Sequence, residues 1–281
     1  MLLNLDRVDA AVLRSKRERL DGILRELGSV VVGYSGGVDS SLLIKVALDT
    51  LGDRALAVLG LSDSIGAEEV DAARELARGV GIELVEVQTE EMANADYVAN
   101  PPDRCFFCKS ELFGKLTLIA RERGYAWVID GSNADDVGDY RPGLRAAREK
   151  GVRSPLQEAG LTKAEIRALS RELGLPTWGK PAMACLASRI PYGQSITPDK
   201  LARINAAEQY LKAQGFAQVR VRCHEDVARI EVAPAEIAAL VRPEVREPLA
   251  RRLKEIGFAY VTLDLEGYRS GSMNEVLKTA P

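Results

Sequence analysis

The chain has 281 residues, 46% of them apolar and 28% charged, with a formal net charge of −3. That length supports one large domain or two moderate ones with a real core, and the composition is that of an ordinary soluble globular protein. The near-balanced charge gives no reason to expect tight binding to nucleic acid or a membrane surface, and no apolar run approaches the roughly 20 residues of a membrane span.

The opening stretch lacks the basic front, long apolar run and small-residue cleavage site of a signal peptide, which points to a cytoplasmic protein. Arg7 to Leu27 is charged with recurring Leu and Val, the pattern of an amphipathic helix. Ser29–Tyr34 reads as a fully buried strand, followed by a glycine turn and the helix SSLLIKVALDTLG. Arg54–Ser62 is a second buried strand, GAEEVDAARELARGVG a helix, and Ile82–Gln88 a third strand. CFFCKSELFGKLTLIARERG suits a helix and Tyr125–Gly131 a fourth strand. Strands alternating with helices predict an α/β fold with a parallel sheet covered on both faces. Leu161–Pro176 predicts a further helix, with Thr162 as N-cap, Glu165 closing a capping box, and Gly174 and Pro176 as the stop. PTWGKPAMACLASRIPYGQSITP has neither helical nor strand period and carries four prolines. It reads as a long functional loop joining two domains. Beyond it, a helix over Pro198–Gln214, short strands around AQVRVRC and ARIEV, a helix near VREPLARRLKEIG and a strand AYVTLDLEG predict a smaller α+β domain. The expected domains span 1–180 and 181–281.

SGGVDS, Ser35–Ser40, follows a buried strand and opens a helix at the carboxyl end of a parallel sheet, where open α/β folds bind ligands. Gly36 and Gly37 let the backbone approach a phosphate and take positive φ without a Cβ clash. Ser35, Ser40 and Ser41 add hydroxyl donors, and the helix directs its free N–H groups and positive dipole end at the same place. The pattern is a phosphate or pyrophosphate cradle, without the lysine that a G-x-x-x-x-G-K-[ST] loop places on a γ-phosphate.

Four cysteines do not make a disulfide framework in a chain this long. Cys105 and Cys108 form C-x-x-C, compatible with a metal or cluster, a redox pair or a coincidence at a helix start, while Cys185 and Cys223 stand alone. Zinc is only weakly indicated, because no second C-x-x-C or His pair accompanies the first.

S-G-G-x-D-S after a hydrophobic strand resembles the signature of the PP-loop ATP pyrophosphatases. That resemblance implies cleavage of ATP between its α- and β-phosphates, adenylation of a substrate oxygen and release of pyrophosphate. Ser35, Gly36, Gly37, Asp39 and Ser40 would hold the pyrophosphate, with Mg²⁺ balancing its charge. Ser62 would contact the adenosine. The segment Asp130–Asp136, which includes Gly131, would lie near the nucleotide, with Asp135 or Asp136 as a candidate Mg²⁺ ligand. More narrowly, Asn100–Phe113, Asp130–Ala147, Lys180–Thr197, ARIEV and Ser270-Gly271-Ser272 resemble the LarE family of ATP-dependent sacrificial sulfur transferases, over nearly the whole chain. This implies adenylation and thiolation of a pyridinium dicarboxylate mononucleotide for the nickel-pincer cofactor of lactate racemase, by a homo-oligomeric enzyme. Cys185 matches the sulfur-donating position: its thiolate would attack the acyl-adenylate, and its Cβ–S bond would later break. The same resemblance allows Cys105, Cys108 and Cys185 to hold a four-iron–four-sulfur cluster whose open iron carries sulfide, and Cys185 is then not consumed. Lys180 and Arg189 are close in sequence to supply the positive charge that a thiolate needs.

The alternation Val219-Arg220-Val221-Arg222 puts the two arginines on one sheet face. They read either as a clamp for a substrate phosphate or carboxylate, with Arg189 as a further candidate, or as a solvated edge strand protected by charge. His224, the only histidine, reads as a hydrogen-bonding surface group. Phe106, Phe107 and Phe113 read as packing groups. Three other functions share parts of this pattern: a PP-loop tRNA thiolase, an ammonia-using PP-loop synthetase and a cluster-based redox sensor. The mild acidity argues against the first and the cysteine trio against the second. A small-molecule substrate, with neither nucleic acid nor membrane as partner, is therefore expected.

Overall fold

The computed structural model describes residues 8–136, 142–181, 183–269 and 271–278. Arg7, residues 137–141 of the Asp130–Ala147 stretch, Ala182 and Ser270 lie outside the described residues. The chain divides into two compact units, Met1–Asn94 with Asp103–Met183, and Ala95–Pro102 with Ala184–Pro281. The short segment Ala95–Pro102, read from the sequence as part of the first domain, thus groups with the second.

In the first unit the elements run α1 (Ala10–Leu27), β1 (Val30–Tyr34), α2 (Val38–Leu51), β2 (Ala55–Leu61), α3 (Ala67–Val80), β3 (Glu83–Gln88), α4 (Arg104–Arg123), β4 (Trp127–Ile129), α5 (Pro142–Glu149) and α6 (Lys163–Glu172). The strands form one parallel sheet in the order β3-β2-β1-β4, with Val30 opposite both Ala55 and Trp127. Side chains alternate along β1. Val30, Val32 and Tyr34 join Leu20, Leu24 and Leu43 in one core, while Val31 joins Leu56, Val58, Phe113 and Leu116 in another. Covered on both faces, the central strands β1 and β2 read as continuous apolar runs, while the edge strand β3 is partly exposed. The capping box of α6 is formed: the Thr162 hydroxyl accepts from the Glu165 amide, and the Glu165 carboxylate accepts from the Thr162 amide at 2.8 Å. Lys16 pairs with that same carboxylate at 2.7 Å and so ties α1 to α6. Helix α5 has no counterpart among the elements expected from the sequence. It is short and starts on Pro142, a residue that fits the first helical position as well as it breaks a helix.

The second unit contains α7 (Pro198–Ala213), β5 (Val219–His224), β6 (Val227–Val232), α8 (Pro243–Ile256) and β7 (Tyr260–Leu263). Its sheet has the order β5-β6-β7, with β5 and β6 antiparallel and β6 and β7 parallel. Thr197 caps α7 by accepting from the Lys200 amide at 3.2 Å. The linking segment is irregular apart from the 3₁₀ turns Pro176–Gly179 in the first unit and Leu186–Arg189 in the second. One expectation is corrected here. Strand β5 lies at the sheet edge, yet Arg220 and Arg222 are buried rather than solvated: Arg222 pairs with Glu231, and Arg220 donates to the Val219 carbonyl and lies over the Tyr268 ring.

Candidate active site

The turn between β1 and α2 is built as a cradle. Gly36 has φ +70°, and a Cβ there would stand 2.8 Å from the Ala73 Cβ of α3. Gly37 is the N-cap of α2, with no side chain to satisfy the first helical N–H groups, which are left to a ligand or water. The Ser40 hydroxyl braces the turn from inside: it accepts from the Ser35 amide at 3.2 Å, lies 3.1 Å from the Ser35 hydroxyl and donates to the Gly37 carbonyl at 3.2 Å. Ser35 is exposed. Ser41, expected to offer a third hydroxyl, is fully buried within α2 and is out of reach of a ligand. The Tyr34 hydroxyl donates to the Ala73 carbonyl at 3.0 Å, and burial pushes its pKa up to about 12, so the donor persists at any ordinary pH. That bond fixes α3 beside Gly36.

The loop after β4 closes on the same helix end. A Cβ on Gly131 would meet the Ser40 amide nitrogen at 3.1 Å and its Cα at 3.3 Å, so only glycine permits this approach. Buried Asn133 donates to the Asp39 carboxylate at 3.4 Å. Asp135 accepts from the Lys163 amide at 2.8 Å and thereby helps to start α6. Asp136 is buried and accepts from the Asn133 amide at 2.9 Å.

Two lysines reach the turn that sequence reasoning did not place there. The Lys163 ammonium pairs with Asp39. Lys180 donates to the Gly36 carbonyl at 3.2 Å and pairs with Glu69 of α3 at 2.8 Å. The turn lacks a lysine of its own, and the fold supplies two from distant sequence. For Lys163 the available signal was its position, the first residue of a capped helix.

Ser62, just past β2, is bonded to the Ser64 hydroxyl at 2.7 Å and to Glu91. Glu91 is 2% exposed, and its second oxygen has no hydrogen-bond partner. Nothing in the sequence of Glu91 singled it out.

Cys185 is half-buried and is the N-cap residue of the turn Leu186–Arg189. Arg189 is 4% exposed and makes a bidentate pair with Glu208 of α7 at 2.8 and 2.9 Å. Its remaining nitrogen donates to the carbonyls of Ala184 and Cys185 at 2.7 and 3.0 Å. Arg222 is paired with Glu231 at 2.7 Å and donates to the Ser188 carbonyl at 2.9 Å. Arg220 lies over the Tyr268 ring at 5.2 Å, and burial, with Arg189 nearby, lowers its pKa. The three candidate arginines therefore sit together, and two of them hold the backbone around Cys185. Asn100 fixes the following stretch. It is fully buried with φ +55°, and its side-chain amide donates to the carbonyls of Ile190, Pro191 and Gln194 at 2.8–3.1 Å.

Cys105 and Cys108 lie near the start of α4, Cys105 exposed and Cys108 half-buried. Spacing of three puts them on one helical face. They belong to the first unit and Cys185 to the second. Among the described residues no group of three or more His, Cys, Asp or Glu side chains is assembled to hold a metal ion. Cys223 is fully buried on β5, and burial raises its pKa, which makes it a packing thiol. His224 is half-buried, and its Nε2 has no hydrogen-bond partner. Burial and the nearby Arg229 and Arg222 lower its pKa.

A parallel sheet whose first strand runs into the turn S-G-G-V-D-S against a helix N-terminus is the arrangement expected of the PP-loop class of nucleotide-binding proteins. A family model described as NAD synthase matches residues 13–128. The chain is 42% identical over 271 residues to the pyridinium-3,5-bisthiocarboxylic acid mononucleotide synthase of Lactiplantibacillus plantarum, covering 96% of this chain and 98% of that one. It is 50% identical over 266 residues to an uncharacterised protein of Synechocystis sp., covering 95% and 99%. It is 26% identical over 206 residues to a glutamine-hydrolysing GMP synthase component of Archaeoglobus fulgidus, covering 66% and 65%. The chain belongs to the LarE family of PP-loop proteins. No helix among the described residues is long and apolar enough to cross a membrane.

Proposed function

We propose that this chain is an ATP-dependent, AMP-forming sulfur transferase that thiolates a pyridinium dicarboxylate mononucleotide for assembly of a nickel-pincer cofactor. The observation that carries the reading is the braced glycine turn in a chain 42% identical, along almost its whole length, to a synthase of the corresponding bisthiocarboxylic acid. The pyrophosphate portion of ATP lies on Ser35, Gly36, Gly37, Asp39 and Ser40, with Gly131 and Asp135 behind it and Ser62 beside the adenosine. Mg²⁺ balances the charge. A substrate carboxylate oxygen attacks the α-phosphorus, pyrophosphate leaves, and the acyl group is primed with AMP as its leaving group. The Cys185 thiolate then attacks the acyl carbon and AMP departs. Loss of the Cys185 Cα proton breaks the Cβ–S bond, leaving dehydroalanine in the chain and a thiocarboxylate on the product. Arg189, Arg220 and Arg222 supply positive potential for the substrate's anionic groups from beneath this segment.

A second sulfur source is favoured by one specific observation, the pair Cys105 and Cys108 one turn apart at the start of α4. They would be two thiolate ligands of an iron–sulfur cluster, with Cys185 as the third that the family resemblance implies, and a bound cluster would supply an exchangeable sulfide. We place the enzyme in the cytoplasm as a homo-oligomer acting on a small molecule.

The test is anaerobic turnover with ATP and the mononucleotide, followed by product analysis and intact-mass measurement. AMP, pyrophosphate and thiocarboxylate are expected. A chain lighter by about 34 Da assigns the sulfur to Cys185 as a covalent nucleophile. An unchanged mass with stoichiometric iron assigns it to the cluster. No AMP formed in the presence of the substrate would defeat both.

A further inference from the structure

Within the first unit, Lys180 and Met183 lie against the glycine turn, and Pro176–Lys180 leads up to it. The backbone of this segment is pinned: the buried Arg167 guanidinium donates to the carbonyls of Trp178 and Lys180, and the Lys180 amide donates to Thr177 at 2.9 Å. The Met183 methyl stands 3.9 Å from the position of a Cβ on Gly37. From this fixed base the Lys180 ammonium reaches the lip of the turn, on the Gly36 carbonyl at 3.2 Å and Glu69 at 2.8 Å.

Neither partner is a strong competitor for a polyanion. The Gly36 carbonyl is neutral, and the Glu69 and Lys180 side chains are 26% and 22% exposed, so their attraction is partly screened by water. A pyrophosphate in the cradle brings several negative charges against one carboxylate. It also faces the Gly36 carbonyl dipole, whose negative end is tolerable beside an anion only while a cation covers it.

We infer that Lys180 is the residue that neutralises the leaving pyrophosphate, exchanging Glu69 for phosphate oxygens when the turn is filled. The inference rests on the ATP-cleaving reading of the turn. Lys180 does in trans what the lysine within a G-x-x-x-x-G-K-[ST] loop does in cis, as a point charge on a flexible stem.

The test is calorimetric binding of inorganic pyrophosphate with Mg²⁺, and of ATP, to the full-length wild type and to Lys180→Met, Lys180→Arg and Glu69→Gln. Removing a charge-assisted partner should weaken pyrophosphate binding about 10- to 100-fold in Lys180→Met. Lys180→Arg should stay within a few-fold of wild type. Glu69→Gln should bind several-fold tighter, because it releases the ammonium from its competitor. A purely structural contact predicts the opposite sign for Glu69→Gln, and that result would overturn the inference, as would wild-type affinity in Lys180→Met. If Lys180→Met does not fold, the Glu69→Gln result decides alone. Wild-type protein that binds neither ATP nor pyrophosphate would defeat the ATP-cleaving reading, and this inference with it.

Discussion

The two glycines of the turn differ in a way that makes a sharp test. Gly36→Ala meets two penalties. At φ +70° an L-residue costs about 1–2 kcal/mol, and a methyl 2.8 Å from the Ala73 Cβ forces overpacking worth about 1–3 kcal/mol. Together these give about 2–5 kcal/mol, which for a domain of this size lowers the melting temperature on the order of 4–20 °C. Gly37→Ala meets neither. Its φ of −81° and ψ of 164° suit any residue, and the added methyl would lie 3.5 Å from the Ser35 hydroxyl and 3.9 Å from Met183, both ordinary contacts. Its stability should stay within about 0.5 kcal/mol of wild type, or rise slightly through a stiffer unfolded chain. Thermal unfolding of the two variants, with ATP affinity measured in parallel, checks this. Adding Ala73→Gly to Gly36→Ala should recover the overpacking share less about 0.5–1 kcal/mol for a glycine inside α3, a cost that Ala73→Gly alone measures. Equal stability loss in the two single variants, or none in Gly36→Ala, would refute the close approach of α3 to the turn.

Glu208→Gln leaves the Arg189 charge buried without its partner. It should cost about 3–5 kcal/mol in chemical denaturation and alter the alkylation rate of Cys185. At position 100 the usual helical order of Ala over Gly should invert: Asn100→Ala should be less stable than Asn100→Gly by about 1 kcal/mol, since only glycine takes φ +55° freely. His224 has a lowered pKa in the folded chain, so below its unfolded value of about 6.5 the unfolded state binds a proton that the folded state refuses. Stability should therefore fall as pH drops through 6.5 towards the lower folded value. A melting-temperature series from pH 7.5 to 5 should show a shallower slope in His224→Gln, and an identical slope would remove His224 as a cause.

Patterns confined to a few neighbouring residues were legible in the sequence. The valine run of β1, bounded by Ser29 and a glycine turn, has no other reading than a strand buried on both faces. Thr162 and Glu165, three positions apart, announced the start of α6. What escaped was whatever depends on partners far along the chain. Lys163 and Lys180 look like surface lysines until the fold carries them to Asp39 and Gly36. The alternation of Val219 to Arg222 identifies the faces of β5 but says nothing of Glu231 opposite or Glu208 on α7, and so an anion clamp and a solvated edge strand stayed open as equal readings. Asn100 gives no local sign of a left-handed conformation, because the three carbonyls that hold it lie some ninety positions further on.

The buried arginine pairs are explained by the backbone they serve rather than by their own strength. A buried ion pair contributes little net stability, since desolvation offsets most of the attraction. Here the pairs do a second task. Residues 184–189 form no sheet ladder, so their carbonyls need donors from elsewhere. A guanidinium has five N–H groups, and Arg189 divides them between Glu208 and the carbonyls of Ala184 and Cys185. Arg222 does the same with Glu231 and Ser188. Glu208 and Glu231 hold the guanidinium planes, and the planes hold the irregular chain. The acyl-transfer step proposed for Cys185 demands a sulfur placed within a fraction of an ångström, which an unsupported loop does not offer. Cys185 can therefore stand half-exposed on a proline-rich segment and still have a defined position, because its own carbonyl is bonded to a side chain that is 4% exposed.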